Sequence, residues 1–183
     1  MDAQEQQLLQ RAQQWDTEAL VDIFDTYSPP LYRYALYRTG NVHLAEDCVT
    51  ETFARFLQVL RRSKPIINTS LRAYLYRIAH NFLIDQARHE PAPPVEFDEQ
   101  WLGDPQPGPE QQAELDERRK ALGQALRELP AAQQQVIALR YIEEWSLEEC
   151  AAAMNKTIGA IKSLQYRAIQ QLQRIMHTQE TEK

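Results

Sequence analysis

Arg72, Tyr74, Tyr76, Arg77, His80, Asn81, Phe82 and Arg88 fall within one segment of helical pattern, so cations, aromatic faces and an amide share a single predicted helix. That mixture suits unpaired nucleobases. Aromatic rings stack on bases at about 1–3 kcal/mol each, guanidinium groups hold the backbone, and an asparagine amide pairs with a base edge. Tyr74, Leu75, Ile78 and Phe82 also recur at the spacing of an ordinary core stripe, and the pattern alone leaves both readings open. A second candidate lies toward the other end of the chain. Ser146-Leu147-Glu148-Glu149 has the capping-box pattern that starts a helix, Thr157 can cap another, and the turn between the two is Asn155-Lys156-Thr157. Helices so closely joined, with small Ala151 and Gly159 near the predicted crossing, have the layout of a helix-turn-helix. Between Met154 and Arg174 stand Lys156, Lys162, Arg167 and Arg174 and no acid, whereas Glu143, Glu144, Glu148 and Glu149 precede them. Such segregation fits a helix that faces phosphates, or else a solvated helical hairpin.

The elements that must carry these residues are all helical. Five glycines and no alternating valine or isoleucine runs leave little for a sheet, while alanine, leucine, glutamine, glutamate and arginine favour helix. A short amphipathic helix is expected near Leu8, then longer ones from Leu20 to Tyr37, Val42 to Leu60 and Leu71 to Ala87. Gly40-Asn41 marks one break and residues 63–70 the next, with Thr69 or Ser70 as N-cap. The step Ser28-Pro29-Pro30 predicts a kink or a split in the first long helix. Residues 90–111 hold six of the ten prolines and form a linker. Helix resumes near Gln112 and runs to Leu129; Pro130 opens another to about Ile142, followed by Ser146 to Met154 and Thr157 to about Met176. The expected organisation is therefore an all-α chain of two small domains, residues 1–89 and 112–183, joined by an acidic, proline-rich linker over 90–111.

The net charge of −6 resides in that linker. Residues 1–89 carry ten acids and ten bases, 112–183 again ten and ten, and 90–111 six acids with no Lys or Arg. Residues 52–89 hold seven bases against Asp85 alone, which predicts a cationic face on the first domain. The N-terminal residues lack a secretory pattern and no run of eighteen apolar residues occurs, so a cytoplasmic protein without membrane insertion is expected. Cys48 and Cys150 stand about a hundred positions apart, and the four histidines have no paired metal-ligand spacing with them. No glycine-rich phosphate loop or nucleophile motif appears; no cofactor, no metal and no enzymatic activity are expected.

In chain order, these segments resemble the extracytoplasmic-function (ECF) sigma factors, alternative sigma subunits of bacterial RNA polymerase. Ala45-Glu46-Asp47-Cys48-Val49-Thr50-Glu51-Thr52-Phe53 resembles region 2.2, which binds the polymerase clamp; residues 71–81 resemble regions 2.3 and 2.4, which melt and read the minus-ten element. Leu129-Pro130, residues 136–141, 146–152 and 158–163 resemble region 4, which binds the minus-thirty-five element. The resemblance implies that Arg72, Tyr74, Arg77 and Asn81 hold extruded non-template bases while Arg61, Arg62, Lys64 and Arg88 hold phosphates. It implies that Lys156, Thr157, Lys162, Ser163, Tyr166 and Arg167 anchor upstream duplex, and that Asp47, Glu51, Phe53, Phe56 and Leu57 face core RNA polymerase. Promoter DNA and core polymerase are then the partners, with a cognate anti-sigma protein as a further candidate. The chain departs from the family pattern at Thr50 (commonly glutamine), Tyr74 (frequently tryptophan), Leu164-Gln165 (more usually arginine and an apolar residue) and the loop 63–70, which lacks the common glycine. The competing reading is a conventional helix-turn-helix regulator whose first domain senses a signal. No alternation of strands and helices supports a phosphoacceptor domain of that kind.

Overall fold

Gly40 and Asn41 show how the sequence divides one helix from the next. In the computed structural model, which describes residues 3–62, 69–89 and 121–181, Thr17–Thr39 (α2) ends on Gly40. Its φ of 61° is left-handed, and its N–H reaches Leu36 O at 2.6 Å. Asn41 then caps Val42–Leu60 (α3) by accepting from the Leu44 N–H at 3.1 Å. Ahead of these lies Ala3–Gln13 (α1). Leu71–His89 (α4) starts at Ser70, whose hydroxyl accepts from the Ala73 N–H, and Glu5 of α1 takes the Leu71 N–H at 2.7 Å. The N-terminal helix thus satisfies a free donor at the start of α4, a contact between residues 66 positions apart.

Of the kink or split expected at Ser28-Pro29-Pro30, the split does not occur: α2 continues through both prolines. Burial of Ile23 on one side of them and of Leu31, Tyr34 and Ala35 on the other anchors both halves to the same core. Packing therefore outweighs two missing N–H donors.

The second domain contains a helix over residues 121–128 (α5), Ala131–Ile137 (α6), Leu147–Met154 (α7) and Ile158–Thr181 (α8). Pro130 immediately precedes α6, but the expected single helix to Ile142 changes character: Ala138–Ile142 is a π-helical turn. Glu149 and Ser146 exchange the two bonds of a capping box at the start of α7, and Asn155 (φ 51°) ends that helix in the left-handed conformation.

Helices α2, α3 and α4 pack on one another with α1 against α2, while α6 and α7 pack on α8. Leu31, Tyr34, Phe56, Leu71 and Leu75 fill the first core and Val136, Leu139, Cys150 and Ile161 the second. Each buried aliphatic or aromatic side chain contributes about 1.5–3 kcal/mol. Helix α4 also meets α7, and α2 meets the π turn, so the two cores touch. Among the described residues the chain forms no strand, and no helix is long and apolar enough to cross a membrane. Cys48 and Cys150 are free thiols packed as small hydrophobes; burial pushes them up to about 12 and about 11.

Candidate nucleic-acid interface

At about 100° per residue, a helix puts residues three, four and seven apart on one stripe. Tyr74, Arg77 and Asn81 of α4 obey that spacing: Asn81 is exposed, Tyr74 and Arg77 are half-buried, and the Arg77 guanidinium lies 5.4 Å from the Tyr74 ring centroid. An aromatic face, a cation and an amide accordingly share one side of α4. Leu71, Leu75, Ala79 and Phe82 point into the core, so the core-stripe reading holds for that face of the segment, while Tyr74, Arg77 and Asn81 lie on another. His80 and Tyr76 leave the nucleobase group. Tyr34 Oη and an Arg38 nitrogen lie 3.3 and 3.1 Å from His80 Nδ1, and burial, reinforced by the Arg38 charge, lowers its pKa to about 3. It stays neutral at neutral pH and serves the core.

Arg72 is also separated from the stripe, since two residues place it roughly 200° round the axis from Tyr74. It turns to the second domain instead. Its guanidinium lies 4.4 Å from the Trp145 ring centroid, donates to Glu143 O at 3.2 Å and sits 3.8 Å from carboxylate oxygens of Glu143 and Glu149. Arg72 does not join Tyr74, Arg77 and Asn81 on one surface, contrary to the expectation from sequence. Arg61 and Arg62 are exposed just past the end of α3, and Arg61 reaches over the exposed ring of Trp15 at 5.7 Å. Lys64 lies outside the described residues, as does the Arg88 side chain.

On the second domain, Thr157 Oγ1 accepts from the Ala160 N–H at 3.2 Å and caps α8. Ile161 and Ala168 are buried against the domain, which turns Lys162, Ser163, Tyr166 and Arg167 outward together. All four are exposed, as are Lys156 and Thr157 in the turn. Tyr166 is 67% exposed, more than any core role allows. Gly159 is not needed at a helix crossing as expected: it is exposed, and an added Cβ would meet nothing nearer than Thr157 Oγ1 at 4.0 Å. Leu164 packs against the core and Gln165 donates to the Tyr141 hydroxyl at 2.8 Å. The departure at these two positions therefore lies to the side of the exposed face.

On α3, Asp47 is exposed and Glu51 pairs with Arg55 at 2.6 Å, with Leu57 half-buried nearby on the same helix. Phe56 is 1% exposed and Phe53 8%, so these rings build the core and offer no contact surface. The apolar groups that do face outward are ones the sequence did not single out. Phe24 of α2, 47% exposed, packs its ring 4.8 Å from Phe53, and Val21 one turn earlier is 50% exposed. Among the described residues no group of three or more His, Cys, Asp or Glu side chains is placed to hold a metal ion.

Between the domains, the π turn and the left-handed Glu144 (φ 54°) deliver Glu143 and Trp145 onto α4. The Tyr76 hydroxyl donates to Glu143 Oε2 at 2.6 Å, and the Tyr76 ring bridges Tyr34 and Trp145 at 5.1 and 4.7 Å between centroids. Burial and the adjacent Glu143 carboxylate raise the Tyr76 pKa far beyond the ordinary phenol range, so it remains a donor. Glu143 Oε1 and Trp145 Nε1 are buried there without a hydrogen-bond partner. Each such atom costs about 1–3 kcal/mol.

The Sigma-70 region 2 family model matches residues 23–91, and that for Sigma-70, region 4 matches residues 125–174. The chain is 33% identical over 174 residues to the ECF RNA polymerase sigma factor BldN of Streptomyces coelicolor, covering 93% of this chain and 65% of that protein. It is 31% identical over 169 residues to the ECF RNA polymerase sigma factor SigD of Mycobacterium tuberculosis, covering 86% of this chain and 76% of SigD. Its fold is similar to that of the sigma factor RpoE solved with the anti-sigma factor NepR from Bartonella quintana. There the TM-score is 0.64 at 22% identity, over 85% of this chain and 95% of that one.

Proposed function

This chain belongs to the extracytoplasmic-function family of RNA polymerase sigma factors, and from that premise we propose that it binds core polymerase, directs it to particular promoters and promotes their opening. It does so without chemistry of its own. The supporting observation is the presence, in one chain, of two differently built outward surfaces: the Tyr74-Arg77-Asn81 stripe and the cationic face of α8. The first suits flat, unpaired bases and the second suits duplex phosphates. Opening DNA costs stacking and pairing, and a protein without a nucleotide-driven motor meets that cost by binding the separated strand more tightly than the duplex. Tyr74, Arg77 and Asn81 take the non-template strand of the minus-ten element, with Arg61 and Arg62 on phosphates. Lys156, Thr157, Lys162, Ser163, Tyr166 and Arg167 hold the minus-thirty-five element. Residues 1–89 and 112–183 act as the two reading domains, and the acidic segment 90–111 joins them. The protein works in the cytoplasm beside the polymerase, and a cognate anti-sigma protein is a further partner.

The polymerase surface consists of Asp47 and Glu51 on α3 with Leu57, Phe24 and Val21 beside them. Asp47→Arg is expected to weaken core polymerase binding by about tenfold or more, since one charge reversal at an interface costs several kcal/mol where complementary charge meets it. The melting temperature should stay unchanged because Asp47 is exposed. Equal affinity in a fluorescence titration would remove α3 from the interface.

Lys156, Lys162, Arg167 and Arg174 are all exposed. If three or four of them neutralise phosphates, promoter binding by the assembled enzyme owes a log–log salt slope of about −3 to −4 to this domain. Lys162→Glu should make the slope shallower by about 1 and lower affinity at every salt concentration. A slope identical to wild type would show that α8 faces elsewhere. The role as a whole is tested by transcription from a genomic fragment library, using core polymerase with and without the protein. Starts that depend on the protein and share two upstream elements support it; no core binding and no starts point to an ordinary DNA-binding regulator.

A further inference from the structure

The turn that joins α1 to α2 carries a tryptophan in a position that favours glycine. After Gln13 the chain closes a Schellman motif: the Asp16 N–H reaches Arg11 O at 3.2 Å and the Trp15 N–H reaches Ala12 O at 3.0 Å. That pattern puts Trp15 in the left-handed conformation, φ 60°, where a bulky side chain is strained and glycine is not. A tryptophan kept at such a site for the sake of the fold would be buried, yet Trp15 is 45% exposed. Backbone strain that supports an exposed aromatic side chain points to a ligand. Resting on the sigma reading, we infer that Trp15 and Arg61 form a stacking site for one nucleobase of the unpaired promoter strand, separate from the Tyr74-Arg77-Asn81 stripe.

The surroundings of the ring fit that ligand. Arg61, just past the end of α3, places its guanidinium over the indole, 5.7 Å from the centroid, and Arg62 beside it is exposed. Indole is the strongest π partner among the side chains, and a cation next to it neutralises the phosphate of the nucleotide whose base stacks there. The carboxylates nearest in sequence are already engaged. Asp16 caps α2 by accepting from the Glu18 and Ala19 N–H groups, and Arg11 pairs with Asp16 at 2.6 Å and with Glu18 at 3.4 Å. The same bonds fix the turn, so the ring is presented at a set place. Glu5, near the start of α1, accepts from the Leu71 N–H and thereby ties that end of α1 to the first turn of α4, which carries Tyr74; Trp15 follows the other end of α1. The two aromatic positions therefore serve different bases along one strand. Every base has a π face, so Trp15 adds affinity for the open state and little sequence preference.

The test uses polymerase assembled with the full chain and a promoter recovered from the fragment library, in two forms: fully duplex, and with the non-template strand of the minus-ten region left unpaired. Trp15→Gly removes the ring and relieves the backbone, so its melting temperature should equal or exceed that of wild type; Trp15→Phe keeps a π face. Trp15→Gly should bind the unpaired form about five- to hundredfold more weakly, the range for one stacked base, while affinity for duplex and for core polymerase holds. Trp15→Phe should lose much less. Removing single bases from the unpaired strand, one position at a time, identifies the partner. At one position the wild type should lose that same factor and Trp15→Gly nothing further, and this position should differ from the one that Tyr74→Ala ceases to sense. Equal binding of the unpaired form by wild type and Trp15→Gly would overturn the site. A lower melting temperature with no base position sensed would overturn it too, making the ring a structural part of the turn, as would weaker core binding, which places the ring against polymerase. Failure of the wild type to bind core polymerase would instead sink the sigma reading on which the site rests.

Discussion

Trp145→Ala is expected to destabilise the second domain by about 3–5 kcal/mol, the range for deleting a large buried aromatic. The indole is 1% exposed, lies against the Tyr76 ring at 4.7 Å and carries the Arg72 guanidinium on its face. Its backbone is fixed as well, because the Trp145 N–H reaches Leu139 O at 2.9 Å and Arg140 donates to its carbonyl. The backbone therefore cannot easily move in to fill the space, and most of the cavity remains. Urea unfolding followed by circular dichroism should show the lower midpoint. Trp145→Phe, which retains a ring, should cost less than half as much. A loss below about 1 kcal/mol for the alanine variant would mean that the domain contact is not packed in solution.

The boundaries of the helices were legible because they are written in local chemistry. Gly40-Asn41, Ser70, the Ser146/Glu149 box and Thr157 each cap through atoms at most four residues away. The π turn was not legible, since Ala138–Ile142 continues an ordinary apolar pattern and widens only where tertiary packing draws Glu143 and Trp145 toward α4. The prolines of α2 misled for the same reason in reverse: a local breaker is overruled when both flanks are buried in one core.

The site divides along similar lines. The outward face of α8 follows from 3.6-residue periodicity, and Lys162, Ser163, Tyr166 and Arg167 are exposed together. The same arithmetic separates Arg72 from Tyr74 on α4, which the mixture of residue types obscured. On α3 both Phe53 and Phe56 belong to the packed side, and the aromatic that faces outward, Phe24, comes from the neighbouring helix. No pattern within a single helix reports that exchange. Glu143, one acid in a run of charges, reads in sequence as solvated; the partner that buries it, Tyr76, lies 67 residues earlier.

Tyr74→Ala is expected to impair promoter opening by about 1–3 kcal/mol, the value of one base stacked on an aromatic ring, or roughly five- to hundred-fold in the equilibrium. Tyr74 is half-buried and packs partly against the core, so a thermal melt of the variant accompanies the opening assay. Tyr74→Phe should restore nearly all of the activity, because the π face and not the hydroxyl does the stacking. Asn81→Ala should also lower open-complex formation, and its effect should depend on the base placed opposite the amide, whereas the effect of Tyr74→Ala should be similar for every base. The distinction follows from chemistry, as every base has a π face but each presents a different hydrogen-bonding edge. Permanganate footprinting of unpaired thymines measures opening, and filter binding to fully duplex promoter measures the preceding step. Opening should fall in both variants while duplex binding holds. Equal losses at both steps would mean that this side of α4 touches duplex DNA and captures no base.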